Sequence, residues 1–156
     1  MNDKQKQYIE KHIDLIETNN WQKFFYYLPT WEDHCPNGTG ALLYMAGIDF
    51  LSKFDIIPHY QFEFSDITEI KIPDNITYIP DQAFQYCTKL ETVILTRSIK
   101  EIGNEAFAQC YKIIINIIFD GTKQEWLDLL KTGKNIFRGT RYVCTCNDGV
   151  VKKTRS

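Results

Sequence analysis

Ile67–Lys89 reads ITEIKIPDNITYIPDQAFQYCTK, and the next stretch, Leu90–Lys112, reads LETVILTRSIKEIGNEAFAQCYK. Set one over the other, they share six identical positions: Ile76/Ile99, Ile79/Ile102, Ala83/Ala106, Phe84/Phe107, Cys87/Cys110 and Lys89/Lys112. Three more exchange one aliphatic residue for another: Ile67/Leu90, Ile70/Val93 and Ile72/Leu95. Nearly all of these positions are apolar. They are the ones that a stacked unit must bury, and self-similarity at this period marks a solenoid whose units cannot hide their apolar faces alone.

Each unit has a physical reading. Ile70-Lys71-Ile72 and Val93-Ile94-Leu95 alternate in and out, as short half-buried strands do. Pro73-Asp74-Asn75 turns the first unit and Thr96-Arg97-Ser98 the second. A second extended piece follows, Ile76 to Ile79 and Ile99 to Ile102. Asp81 and Asn104 then stand where they would cap a single helical turn carrying Ala-Phe-x-x-Cys, with Phe and Cys pointing inward.

A third, imperfect unit begins at Ile113. Val93 and Leu95 lie six and eight residues after their cysteine, whereas Ile117 and Phe119 lie seven and nine after theirs. That offset predicts a one-residue insertion, or bulge, within Ile113–Ile115. Thr122 and Glu125 have capping-box spacing and open a helix whose inward face holds Trp126, Leu129 and Leu130. Arg141–Cys146 reads as a last strand and Asn147-Asp148-Gly149 as a tight turn before Val150-Val151. Before the repeats, Ile9, Ile13 and Ile16, and then Trp21, Phe24, Phe25 and Leu28, mark two amphipathic helices divided at Asn19-Asn20. After a loop from Pro29 to Gly38, Leu42 to Ala46 form a third helix that Gly47 ends, and Asp49 to Phe54 a short fourth. So few repeats expose apolar ends that need covers. The expected division is a helical cap over 1–59 and a solenoid with its C-terminal cap over 60–156.

The pattern Ile-x-Ile-Pro-Asp-x-Ile-x-x-Ile-x-x-x-Ala-Phe-x-x-Cys-x-x-Leu, running here from Ile70 to Leu90, resembles the repeat of BspA-type leucine-rich-repeat proteins. FDGTKQEW (Phe119–Trp126) resembles that family's closing GT-x-x-x-W piece, and CNDG (Cys146–Gly149) its final strand and turn. LLYMAGIDFLSKFDIIPHY (Leu42–Tyr60) resembles the leader of short forms from bacteriophages and gut bacteria. The resemblance implies an α/β fold: a short leucine-rich-repeat solenoid of two full 23-residue repeats plus a partial one, with an N-terminal helical cap and a C-terminal helix–strand cap. It implies a protein-binding module without catalytic residues. Few repeats, Thr-Arg-Ser in place of the usual Pro-Asp-Ser, and an N-terminus too polar for a secretion signal depart from the long surface adhesins of that family. The expectation is a cytoplasmic protein of a bacterial or phage-infected cell that blocks a host protein, such as a defence nuclease.

The chain has 18 Lys/Arg against 20 Asp/Glu, a net charge of −2, which argues against wholesale nucleic-acid binding. The charge is uneven: residues 122–156 carry eight Lys/Arg and three Asp/Glu. Lys131, Lys134, Arg138, Arg141, Lys152 and Lys153 therefore offer a basic segment, and nucleic-acid association through it is the alternative function. The plainer reading is a solvated face with a frayed tail at Lys152, Lys153 and Arg155. A structural or surface component is a third possibility. No apolar run approaches the ~20 residues needed to cross a membrane, and five cysteines without a secretion signal read as thiols.

Candidate chemistry is sparse. His12, His34 and His59 fall in no metal-binding helix motif, no serine stands in a nucleophile elbow, and no glycine-rich loop cradles a phosphate. Glu32-Asp33-His34-Cys35-Pro36 offers the residue types of a metal site or of a Cys–His nucleophile, but reads as a polar loop between the second and third helices. Cys144 and Cys146, two apart on a strand, share a face and would make half of a metal site. Cys87 and Cys110 are better explained as small stacked core residues. No catalytic residue, metal or cofactor is expected.

Binding is expected on the outward side of the strands. Lys71, Ile94 and Ile118 stand between inward residues at one level, beside Glu69, Thr92 and Asn116. Two neighbouring outward isoleucines are unusual on a solvated sheet. They are either covered by another part of the chain or a second copy, or they centre a partner interface with Arg97, Lys100 and Tyr78 at its rim.

Overall fold

A computed structural model describes residues 2–26, 38–111 and 114–155. The aligned units form successive coils of a solenoid. β1 (Glu69–Lys71) and β3 (Thr92–Thr96) pair in parallel with Ile70 opposite Val93. β2 (Tyr78–Ile79) and β4 (Glu101–Ile102) pair in parallel in a separate two-stranded sheet. β5 (Ile114–Asp120) continues the first sheet with Ile117 opposite Val93 and Phe119 opposite Leu95, the register that the offset from Cys110 requires. Ile70, Ile72, Val93, Leu95, Ile117 and Phe119 are buried, so strand alternation places the inward residues as their spacing predicts.

The Ala-Phe-x-x-Cys segments are not helical turns. In each, residues four apart adopt left-handed backbone, Gln82 and Tyr86 in one coil and Glu105 and Gln109 in the next. Alternate amides reach across to the following coil: Gln82, Phe84 and Tyr86 donate to the carbonyls of Asn104, Ala106 and Ala108. Glu105, Phe107 and Gln109 donate in turn to Lys134, Ile136 and Arg138. A helix would direct those amides back along its own segment; here bonding between coils prevails. Asp81 and Asn104 consequently cap the neighbouring coil, not their own. The Asp81 carboxylate accepts from the Asn104 amide at 2.6 Å, and the Asn104 side-chain oxygen from the Lys134 amide at 2.7 Å.

The same left-handed pairing recurs at Tyr60 and Phe64 and at Asn135 and Gly139. Phe62 and Phe137 therefore occupy the positions of Phe84 and Phe107. The four rings form a ladder with centroids 5.3, 5.0 and 5.2 Å apart. Three residues after each ring stand Ser65, Cys87, Cys110 and Thr140, and the last three donate to the previous coil's phenylalanine carbonyl at 2.9, 3.2 and 2.7 Å.

The C-terminal cap follows its sequence. α5 (Lys123–Leu129) starts in a capping box, with the Glu125 amide donating to Thr122 Oγ1 at 3.2 Å and the Thr122 amide to the Glu125 carboxylate at 2.6 Å. Trp126 is fully buried against Phe119, Phe137 and Tyr142. β6 (Arg141–Cys146) pairs in parallel with β5. The expected frayed tail is instead a strand: Lys152 and Lys153 lie in β7 (Gly149–Lys153), antiparallel to β6.

The N-terminal block departs further from its periodicity. The first expected helix is divided at His12 into α1 (Asp3–Lys11) and α2 (Ile13–Glu17). The break rotates the second segment, so Tyr8 and Leu15 are buried while Ile13, read as inward, is 46% exposed. α3 (Trp21–Tyr26) buries Trp21, Phe24 and Phe25 as expected; Leu28 lies outside the described residues. α4 (Thr39–Met45) begins before Leu42, and Gly47 follows it with a left-handed backbone. Asp49 to Phe54 yields only a single 3-10 turn, Leu51–Lys53. α4 is docked on the first coil: the Gly40 amide donates to Gln61 Oε1 at 2.9 Å, and a Cβ on Gly40 would lie 2.5 Å from Gln61 Cβ. Phe50 stacks on Phe62 at 6.2 Å, joining this block to the ladder. One apolar core runs from Tyr8 to Cys146.

Candidate functional site

The five-stranded sheet runs β1-β3-β5-β6-β7, and its inward side is filled by the core. Its other side is the candidate site. Lys71 pairs with Ile94, Ile94 with Ile118, Ile118 with Thr145 and Thr145 with Val150, forming one continuous outward row. Ile118 is 50% and Val150 48% exposed, while Ile94 is half-buried. A second row joins Glu69, Thr92, Asn116, Val143 and Lys152. Ile114, 42% exposed, extends the apolar surface beside Arg141. Burying such a surface against a partner is favourable in proportion to its apolar area, at ~25 cal/mol per Å².

The predicted rim is only partly gathered here. Thr92 lies in the second row. Arg97, in the turn after β3, donates its Nε to the Asp120 carbonyl at 3.1 Å and lies 3.7 Å from Glu125. Tyr78 is in β2 and Lys100 immediately precedes β4, so both belong to the separate two-stranded sheet. Thr145, Val143 and Val150, which the sequence does not assign to the binding face, complete the rows. The turn at Asn147-Asp148-Gly149 signals the hairpin, but the register that seats Val150 beside Thr145 arises only on pairing.

The two edges of the sheet differ. At β1 the Lys71 amide donates to the Tyr44 hydroxyl at 2.9 Å, and a shallow, mostly apolar groove there is lined by Tyr44, Ile48, Phe50, Leu51 and Pro73 together with the charged Asp49 and Lys71. At β7, among the described residues, no backbone group bonds to any element other than β6.

The basic segment is dispersed. Lys131 pairs with Asp128 at 2.6 Å and Arg138 with Glu105 at 2.9 Å. Lys153 turns inward, its Nζ donating to the carbonyls of Phe137 and Thr140, and burial pushes its pKa below the usual lysine range. Lys134 is exposed on the turn after α5. Arg141 and Lys152 face outward from β6 and β7, with no ion pair among the described residues.

Thiol chemistry is muted. Burial raises the Cys87 thiol to about 11 and the Cys110 thiol to about 12, so both are neutral donors at neutral pH. Cys144 and Cys146 share the inward face of β6 with sulfurs 3.7 Å apart, and burial raises the Cys144 thiol further. Among the described residues, no group of three or more His, Cys, Asp or Glu is placed to hold a metal, and no helix is long and apolar enough to cross a membrane. Glu32 to Pro36 lie outside the described residues.

Compared with known families, residues 45–142 match the BspA type leucine rich repeat region, in six copies. No curated protein and no solved structure matches.

Proposed function

The chain belongs to the BspA-type leucine-rich-repeat family, and from that membership we propose that it is a non-catalytic module binding a protein partner through the outer face of its five-stranded sheet. The observation that carries this reading is the row Ile94–Ile118–Thr145–Val150: three aliphatic side chains and a threonine aligned in register, with Ile118 and Val150 about half exposed, where strand alternation would ordinarily set polar residues. An apolar centre with Thr92, Asn116, Arg141 and Lys152 about it has the make-up of an interface core and rim. The leader resemblance at Leu42–Tyr60 supports a finer reading: the chain acts in the cytoplasm of a bacterial or phage-infected cell, blocking a host enzyme such as a defence nuclease.

The test is capture of partners from nuclease-treated bacterial lysate, with Ile94→Asp and Ile118→Asp compared with the parent chain. One protein retained after nuclease and lost in both variants is the expected result, with folding checked by circular dichroism. The exposed Ile118 change should cost only ~1 kcal/mol of stability. Capture that vanishes with nuclease and falls steeply with salt would move the function to the basic segment. Capture indifferent to both variants would remove the sheet face from the interface.

A further inference from the structure

We propose that β7 is a docking edge for an extended acidic segment of the protein partner, which adds to the sheet as a sixth strand. The proposal rests on the sheet-face reading above and names the chemistry of what binds there.

Three observations converge on this edge. The opposite edge is closed by the Tyr44 hydroxyl on the Lys71 amide, whereas the β7 backbone bonds only to β6 among the described residues. In an antiparallel pair, alternate residues of the outer strand direct N–H and C=O away from the partner, so β7 offers a backbone template. The apolar row reaches the edge at Val150, 48% exposed, so a strand laid there extends a surface already present. Finally, the cations of the C-terminal segment are sorted. Lys131, Arg138 and Lys153 are engaged within the chain and Lys134 lies in the turn after α5, while Arg141 and Lys152 stand on the outer face with no ion pair among the described residues.

The occupant follows from these placements. Side chains of an added strand recur on one face at every second residue. The one beside Val150 is aliphatic, and the one beside Lys152, two residues away, is a carboxylate; such cross-strand pairs are the unit of sheet stabilisation. Backbone bonds supply affinity and the alternating side chains supply specificity. Two copies pairing β7 to β7 would bring their lysine-bearing strands together, which like-charge repulsion opposes.

The experiment is selection of displayed random peptides on the immobilised full-length chain, followed by affinity measurement of a synthetic winner. The expected winners carry an aliphatic residue and Asp or Glu at positions i and i+2. Their affinity should fall about tenfold with Lys152→Glu, less with Lys152→Gln, and should fall with added salt. Replacing the peptide's acid by lysine should restore binding to the Lys152→Glu chain. Winners without that spacing, winners indifferent to Lys152→Glu, or no enrichment over bare support would each overturn the proposal. So would a dimer in size-exclusion chromatography that Lys152→Glu alters, because the edge would then be occupied by a second copy. Peptides lost with Ile118→Asp but untouched by Lys152→Glu would overturn the edge and leave the sheet-face reading standing.

Discussion

Thr140 and Cys110 show what the position three residues after a ladder phenylalanine supplies from the second coil onward: a small side chain that donates to the previous coil. Thr140 Oγ1 donates to the Phe107 carbonyl and accepts from the Cys110 amide at 3.0 Å. Thr140→Val keeps the shape and removes both bonds, leaving two buried backbone groups short of a partner. Urea denaturation should show a loss of ~2 kcal/mol or more; a loss under ~0.5 kcal/mol would mean that the bonds contribute little. The thiols predict a pH effect. Their folded pKa values, about 11 for Cys87 and about 12 for Cys110, lie above the ordinary value of 9.0. Above that value the unfolded chain releases these protons before the folded one does. Their contribution is therefore fully present below about pH 9 and is lost as pH rises toward 11–12. A Cys87→Ser/Cys110→Ser variant should show a shallower decline of thermal midpoint over that window than the parent. The repeat signature Phe-x-x-Cys is legible in the sequence. Ser65 and Thr140 are not legible as its equivalents, because they share with cysteine a donor and a size rather than a resemblance, and Phe62 and Phe137 fall off the 23-residue period.

Among the elements, the strands were the most readable, since period-two burial fixes which residues face inward whatever the neighbours do. The expected helical turns failed for a reason local propensity does not contain: the amides of Gln82, Phe84 and Tyr86 have better-placed acceptors on the next coil. That coil-to-coil contact depends on close backbone approach. A Cβ on Gly103 would lie 2.4 Å from the Asp81 amide nitrogen, so Gly103→Ala must separate the coils. It should destabilise the chain by ~1–3 kcal/mol, measured by chemical denaturation, although alanine in an ordinary turn costs little. α5 is the opposite case, a helix whose start is written in Thr122-x-x-Glu125 and observed as a complete capping box. Thr122→Ala should cost ~1 kcal/mol. The α1–α2 break at His12 was not readable from the isoleucine spacing. What faces the core there is Tyr8, whose hydroxyl donates to the Phe24 carbonyl at 2.5 Å on another helix.

At the scale of the whole molecule, the aromatic ladder joins both ends. Trp21 lies 5.8 Å from Phe50, Phe50 stacks on Phe62, and the ladder passes through Phe84 and Phe107 to Phe137 and Trp126. Solenoid stability is a sum of unit and nearest-neighbour terms, and in a short array the caps supply a large share of the neighbours. Unfolding followed by tryptophan fluorescence and by far-ultraviolet circular dichroism should coincide in one transition. Two separated transitions would show that the N-terminal helices and the repeat coils unfold independently.

The sequence alone determined the solenoid, its inward strand residues, its α5 start and the register of β5, because repetition and alternation are local patterns that burial enforces directly. It also placed Ile94 and Ile118 outward at one level. Strand pairing across the fold, by contrast, sets Thr145 and Val150 in that row and assigns Tyr78 and Lys100 to another sheet. Tertiary contacts likewise fix which cations are engaged within the chain, with Arg141 and Lys152 left outside those pairs. Pairing register and ion pairing join residues distant in the chain, and no local pattern encodes which distant partner will arrive.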